Sequence, residues 1–453
     1  MTNVLLIRPK PHKDTIGLKH VMICEPLELE YLVSNLDPAL ADDYKPIIID
    51  MLLDRTKLVK HLEQHRPSAV LFTGYNTHVN LIKAFSREIK AFDPGIITAV
   101  GGVHVEVVPD DFKDPHIDVL LWKNGIDAFN LLLNGLKAHT PMDVIQSAID
   151  AQTLNTSFAY NPPDRMINAA YREKYYYMFH NPCALIKTSF GCPFKCSFCF
   201  CHEITNGKYY ERSIIDVIAE LEGIKEREIY IVDDNFLFSE RRVKDFIEGL
   251  KAAQIDKHFL IYGRADFIAK HAALMAEFKA VGLHGVIVGI ESVREKDLQS
   301  YDKLTTVKIN EEAVAILNAL DIECYSTLII PLDFDKKDFK DLKLWLRMTS
   351  VNFVNLQPLT PLKGTAIYAD YVKEFIEDPK DVELWDMAHI VLKPKYMSKR
   401  MFYFRILKLY YEIVMPPKHL IRLVKKFGVA PNIKMLIGSS RVSLQYILKI
   451  IRG

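Results

Sequence analysis

Two series of short apolar runs, each run followed by a helical pattern, constrain this chain more than anything else in it. Strands separated by helices lie side by side as a parallel sheet. The first series puts strands near 4–7, 46–49, 69–72, 96–100 and 118–121, with helical patterns at 28–35, 56–65 and 81–92. It predicts a doubly wound, Rossmann-like α/β domain over residues 1–140. The second puts strands near 184–188, 229–232, 259–262, 285–289, 325–330 and 353–356, separated by helical stretches such as 214–222, 240–253 and 311–320. These successive βα units predict a partial (β/α)6 barrel over 181–385. Residues 141–180, with Asn161-Pro162-Pro163-Asp164, keep neither period and read as a linker or wrapping segment. From 386 to 453 the pattern is a helical extension, broken at Pro416-Pro417.

Both architectures bind ligands at the C-terminal ends of their strands. In the first series those ends carry Thr73-Gly74-Tyr75-Asn76-Thr77, Gly101-Gly102-Val103-His104 and Asn124-Gly125. Glycine there lets a ligand approach the backbone, and it serves a plain turn equally well.

Five of the seven cysteines fall between Cys183 and Cys201; the others are Cys24 and Cys324. Such clustering suggests metal chemistry before disulfides. Cys192, Cys196 and Cys199 form a C-x3-C-x2-C loop directly after the first strand of the second series. Three thiolates on a four-iron cubane leave the fourth iron open to a small molecule. The competing reading is zinc, with His202 or Cys201 as a further ligand, but zinc sites favour two separated ligand pairs and no second pair is present.

This loop, with Phe198 before its last cysteine, resembles that of the radical S-adenosylmethionine (SAM) superfamily. The resemblance implies that the open iron chelates SAM and that the reduced cluster cleaves it to a 5′-deoxyadenosyl radical. It further implies SAM contacts at Phe198, at Asp233-Asp234-Asn235 after the second strand, at Arg264 after the third, and at Glu291-Ser292 after the fourth. Lys303 and the loop Pro358 to Thr365 also follow the family pattern, with Lys363 in place of a proline. The glycine usual before Pro331 is replaced by Ile329-Ile330, a departure in the SAM pocket. Each motif has a structural alternative: an acid at a strand end also caps the next helix, and Arg264 also serves as an ion-pair partner.

Residues 1–140 resemble the cobalamin-binding domain that precedes the barrel in one radical SAM subclass. The match lies in Ile7-Arg8-Pro9, Glu25-Pro26-Leu27-Glu28, the three strand-end loops above and Pro109. It implies cobalamin contacts at Pro9, Glu25, Thr73, Gly74, Tyr75, Asn76, Thr77, Gly101, Gly102, Val103, His104, Asn124 and Gly125. The cobalt-ligating D-x-H-x-x-G string is absent: Asp114-Pro115-His116 and Asp256-Lys257-His258 lack its glycine, and His12 lacks its acid. No histidine of that motif is expected on cobalt. A Rossmann-like fold without cofactor is the alternative.

These resemblances imply a cobalamin-dependent radical SAM methyltransferase acting at an unactivated carbon, using one SAM for the radical and another to remethylate cobalamin. The alternatives are a cyclase or rearrangement enzyme with the same cofactors, and a non-catalytic Fe–S or cobalamin-binding regulator. Such chemistry needs an electron donor of flavodoxin or ferredoxin type. Trp385 to Pro394 and the aromatic helix after it look like the extension of hopanoid- and lipid-modifying relatives, which implies a hydrophobic or lipid-like small-molecule substrate.

Apolar residues make up 49% and charged residues 25%, an ordinary globular composition. No signal peptide and no run of about 18 apolar residues is present, so a cytoplasmic location is expected. The net charge of +1 hides a basic tail: from Asp386 onward 14 lysines and arginines face two acids, Asp386 and Glu412. That tail suggests surface contact with a membrane through residues such as Arg400, Arg405 and Lys408, or a solvated cap; nucleic acid is not the expected partner.

Overall fold

The computed structural model describes residues 1–154, 159–351 and 353–452. The chain divides into two compact units that exchange segments. The first holds Met1–Thr15, Glu25–Lys174 and Pro379–Trp385; the second holds Ile16–Cys24, Tyr175–Asp378 and the chain from Asp386 onward.

In the first unit, β1 (Thr2–Arg8), β2 (Tyr44–Asp50), β3 (Ala69–Thr73), β4 (Ile97–Gly101) and β5 (Val119–Leu121) form one parallel sheet in the order β2-β1-β3-β4-β5. Helices cover both faces, which is why the strands read as near-continuous apolar runs. Val4, Leu6, Leu71 and Ala99 pack on Phe129 and Leu133 of one face. Leu5, Ile7, Val70 and Phe72 pack on Ile82 and Ile89 of the other. The strand order reverses at β1, and a ligand crevice belongs at such a switch.

The stretch expected to be a linker contains a helix, Met142–Asp150. It buries only Ile145 and Ile149, an i, i+4 pair too sparse to show a period. Its Gln146 accepts from the Leu120 N–H at 2.8 Å and donates to the Leu120 carbonyl at 3.2 Å, closing the exposed edge of β5.

In the second unit, β6 (Cys183–Ile186), β7 (Glu228–Ile231), β8 (His258–Gly263), β9 (Leu283–Glu291), β10 (Glu323–Ile330) and β11 (Phe353–Pro358) pair in sequence order, all parallel. Same-handed crossovers between sequential neighbours put the helices on one face and leave the other to line a barrel-like interior. On the helical face Phe246 meets Phe236, Phe259 and Phe278 at 5.3, 5.5 and 5.7 Å. The remaining edge is covered by the Lys399–Val414 helix, whose Tyr410 hydroxyl accepts from the Leu356 N–H at 2.8 Å.

One side of that helix serves the fold: Phe402, Ile406 and Leu407 are buried, and Phe402 packs against Phe339 at 5.5 Å. Arg422 and Lys426 bind Glu323 at 2.6 and 2.7 Å, so they are structural. Two further helices follow, Pro417–Phe427 and Val429–Arg452. Among the described residues no helix is long and apolar enough to cross a membrane.

Truncating Phe246 to Ala removes the ring at the centre of the helical-face core. Unfolding free energy should fall by about 3–5 kcal/mol, read from the midpoint of a denaturant titration, with Phe246→Leu losing less.

Candidate functional site

The cysteine loop starts from a rigid platform. After β6, Asp233 accepts from the Thr188 N–H, the Thr188 hydroxyl and the Ser189 hydroxyl, each at 2.6 Å, and is fully buried. Arg212 donates to the Lys187 carbonyl at 2.9 Å and Arg242 to the Thr188 carbonyl at 2.7 Å. Both arginines are buried, and Glu220 pairs Arg212 at 2.6 Å. Gly191 then turns the chain at φ +86°, where a Cβ would stand 2.3 Å from the Lys208 carbonyl oxygen. Only glycine suits that position.

Cys192, Cys196 and Cys199 are half-buried on the loop that follows. Its far side is held by Ser197, which donates to the Tyr301 carbonyl at 3.0 Å and accepts from the Ile367 N–H at 2.9 Å. Phe198 meets Tyr301 edge-on at 5.6 Å, and Arg264 stacks on Phe194 at 3.8 Å. Burial pushes the Cys192 thiol up to about 11, while a hydrogen bond from the Cys201 thiol holds Cys199 below the ordinary value. Among the described residues no group of three His, Cys, Asp or Glu side chains forms a single-ion metal site. The His202 ring lies against Gly207 instead. A cubane asks for something different, one thiolate on each of three separate irons. The donor set fits that cluster: three soft thiols on one anchored loop, with Lys303 and Arg264 acting on Cys196 as compensating cations.

The other strand-end residues divide by whether the fold already uses them. Asp233 is spent on the platform. Asp234 accepts from the Gly191 N–H at 2.9 Å and pairs with Lys187 at 3.3 Å. Ser292 donates to Asp297 at 2.6 Å within a turn that Arg294 also braces. Arg264 binds Asp266 and donates to the Lys303 carbonyl at 2.7 Å. Glu291 sits at φ +60° beside a register shift in β9 and pairs with buried Lys303 at 2.8 Å. A Cβ on Gly289 would lie 2.3 Å from the Glu291 Oε1, so the glycine makes room for this pair. Asn235 differs: its side-chain amide is buried with neither nitrogen nor oxygen partnered. An orphaned amide at this strand end fits a polar ligand such as SAM.

Sequence reasoning missed the interior wall. Residues paired across a parallel ladder share a face, so Tyr262 aligns with Ile287 and Tyr325, and Gly289 with Thr327 and Asn355. This face opposes Phe259 and its helices. Tyr262 is exposed on it, and Thr327, Asn355 and Gln357 are half-buried. The signal was available: Asn355 and Gln357 are alternate residues of one short strand, the period that places them on one face.

In the first unit the strand-end loops meet at one edge. The Gly74 N–H donates to the Gly101 carbonyl at 3.2 Å. Gly102 has φ +106°, and a Cβ on it would stand 3.0 Å from the Gly74 backbone. Gly125 opens the helix Gly125–Lys137 with nothing within 4 Å of where its Cβ would be. Tyr75 is exposed, Thr77 and Val103 are half-buried, and Thr73 donates to Glu28 at 3.1 Å. Such a glycine-lined edge fits a bulky cofactor lying against backbone. Other expected contacts are engaged within the unit: Asn76 donates to the Trp385 carbonyl at 2.8 Å, Asn124 to the Thr153 carbonyl, and Glu25 pairs with Arg165 and Arg172. Pro9 is buried just past β1. His104 is held by Asp111 at 2.9 Å. His116 bonds Asp114 in the segment leading into β5, at the opposite end of the strands.

Comparison with known proteins agrees with both halves. Residues 186–346 match the radical SAM superfamily, and residues 19–133 match the B12 binding domain. The hopanoid C-3 methylase of Methylococcus capsulatus is 26% identical over 399 residues, 86% of this chain and 76% of that protein. The anaerobic magnesium-protoporphyrin IX monomethyl ester cyclase of Cereibacter sphaeroides is 23% identical over 430 residues, 87% and 68% of the two chains. The cobalamin-dependent SAM radical enzyme OxsB shares the fold at a TM-score of 0.70 and 17% identity, over 99% of this chain and 72% of its own. With a B12 binding domain ahead of a radical SAM sheet that carries the cysteine loop, the chain belongs to the cobalamin-dependent radical SAM enzymes, whose cofactors are a [4Fe–4S] cluster, SAM and cobalamin.

Proposed function

We propose that this chain is a cobalamin-dependent radical SAM methyltransferase that methylates an unactivated carbon of a hydrophobic, lipid-like small molecule. The observation that carries the reading is the clamped loop of Cys192, Cys196 and Cys199 at the C-terminal edge of the six-stranded sheet, in one chain with a B12 binding domain. The hopanoid methylase among its relatives supports methyl transfer and an apolar substrate. When bound, the cluster and SAM supply a radical that removes a substrate hydrogen, and cobalamin supplies the methyl group.

The chain's own residues do the positioning. Asp233, Arg212 and Arg242 fix the loop that carries the three thiolate ligands. Asn235, Thr327, Asn355 and Gln357 offer hydrogen bonds to the polar parts of SAM, and Phe198 and Arg264 brace the loop beside it. Glu291, paired with Lys303, is the carboxylate nearest in pattern to a ribose acceptor. Gly74, Gly101, Gly102 and Gly125 admit cobalamin to the edge of the first sheet. A flavodoxin- or ferredoxin-type donor supplies electrons, and the basic tail brings the protein to the membrane surface where an apolar substrate resides.

The cyclase among the relatives keeps a second reading in play, ring formation without methyl transfer. Labelled SAM separates the two. With candidate lipids and a reductant, each product should carry one labelled methyl group while further SAM is spent on 5′-deoxyadenosine. A product without the label overturns the methyltransferase.

Replacing Cys192, Cys196 and Cys199 together by Ala should abolish the brown visible absorption and the bound iron, while Cys201→Ala keeps most of both. Iron retained at about four per chain in the triple variant would remove the cluster assignment.

Cobalt should lack a protein nitrogen, because the D-x-H-x-x-G string is absent and His116 lies at the wrong end of the strands. The Co(II) electron paramagnetic resonance spectrum of the bound cobalamin should be the same in His104→Ala as in the parent. Nitrogen hyperfine lines that vanish with that ring would show the opposite.

A further inference from the structure

The Val429–Arg452 helix is apolar on two faces, and the fold uses only one. Inward it turns Met435, Gly438 and Tyr446. Tyr446 meets Tyr403 and Tyr410 edge-on at 5.9 and 6.5 Å. Gly438 is bare because a Cβ there would fall 2.1 Å from the carbonyl oxygen of His20. Outward, Ile433, Leu436, Ile437, Leu444, Leu448 and Ile451 are 38–66% exposed. At the helical period these six fall in one stripe about 120° wide. A solvated helix surface would carry polar residues there.

Charge decides what covers the stripe. The helix contains Lys434, Arg441, Lys449 and Arg452 and no acid at all. Arg441 and Arg452 lie along one border of the stripe, on the side where Lys434 reaches over the Tyr176 ring at 3.4 Å. The Pro417–Phe427 helix before it adds exposed Ile421 and Val424 beside exposed Lys418 and Lys425. A second copy of this chain would set these cations against one another. A surface of fixed negative charge with an apolar interior satisfies both the cations and the stripe.

We propose that this stripe docks on the face of an anionic phospholipid bilayer, with the helix lying in the plane of the interface. The docking rests on the membrane contact assigned to the basic tail, and it moves that contact from residues 399–426, where Phe402, Tyr403 and Tyr410 serve the fold, to the last helix. It holds whatever reaction the barrel performs.

Co-sedimentation of the full chain with vesicles tests it, using equal parts phosphatidylcholine and phosphatidylglycerol against phosphatidylcholine alone. Two double variants alter exposed positions only: Ile437→Glu with Leu444→Glu in the stripe, and Arg441→Glu with Arg452→Glu at its border. Circular dichroism should match the parent, and SAM cleavage by the reconstituted enzyme should be unchanged. The parent should bind the anionic vesicles and release them as salt rises. Each double variant should bind them at least about tenfold more weakly. Equal binding by parent and variants, binding that ignores the anionic lipid, or no binding by the parent overturns the proposal. So does a dimer of the parent in solution that the Ile437→Glu, Leu444→Glu variant abolishes, which would give the stripe to a second copy. Normal vesicle binding without methyl transfer would overturn the functional reading and leave the docking intact.

Discussion

One buried carboxylate organises the cysteine-loop end of the second unit. Asp233 leaves the end of β7 and takes three hydrogen bonds from Thr188 and Ser189, the two residues that carry the chain out of β6. A buried anion is costly unless its lone pairs are filled, and filling them here fixes the backbone that leads to Cys192. Arg212 and Arg242 secure the same short segment from its carbonyl side. The loop therefore starts from a position that neither strand would define alone.

The far side of the loop depends on a second buried set. Lys303 and Glu291 form an ion pair shielded from solvent, and Arg264 joins it through the Lys303 carbonyl while stacking on Phe194. Breaking a buried pair by removing one partner strands the other charge, typically at about 3–5 kcal/mol. The space for this pair exists because residue 289 is glycine. Residues that look like a row of ligand contacts in sequence are thus partly a scaffold. Asp233, Ser292 and Arg264 have their polar atoms committed to protein, while Asn235 does not.

That division explains what could be read beforehand. Every expected strand is present, because strands buried on both faces leave continuous apolar runs such as Val4 to Ile7 and Phe259 to Ile261. The cysteine loop was legible because three thiols at close spacing have few other uses. The Met142–Asp150 helix was not, since two buried isoleucines and one edge-capping glutamine make no period. The interior wall was missed for another reason. Tyr262, Thr327 and Asn355 belong to different strands, and only the ladder pairing puts them on one face. The partners of Asp233 were equally hidden, 44 and 45 residues away in the chain.

Composition also merged two roles of the basic tail that geometry separates. Arg422 and Lys426 neutralise Glu323, a buried acid in the first position of β10. Without them that carboxylate would be desolvated and unpaired, so these two cations are part of the barrel's stability. Lys399 and Lys343 likewise answer Glu377 and Glu412. The last helix has no acid of its own, and its Arg441 and Arg452 border apolar side chains that face water. Cations that balance a buried acid need no outside partner; cations bordering an uncovered apolar stripe are complementary to a surface the chain does not contain. The excess of positive charge is therefore informative only after the paired cations are set aside, and of those that remain Lys434, Arg441, Lys449 and Arg452 lie on a helix whose second apolar face the fold leaves open.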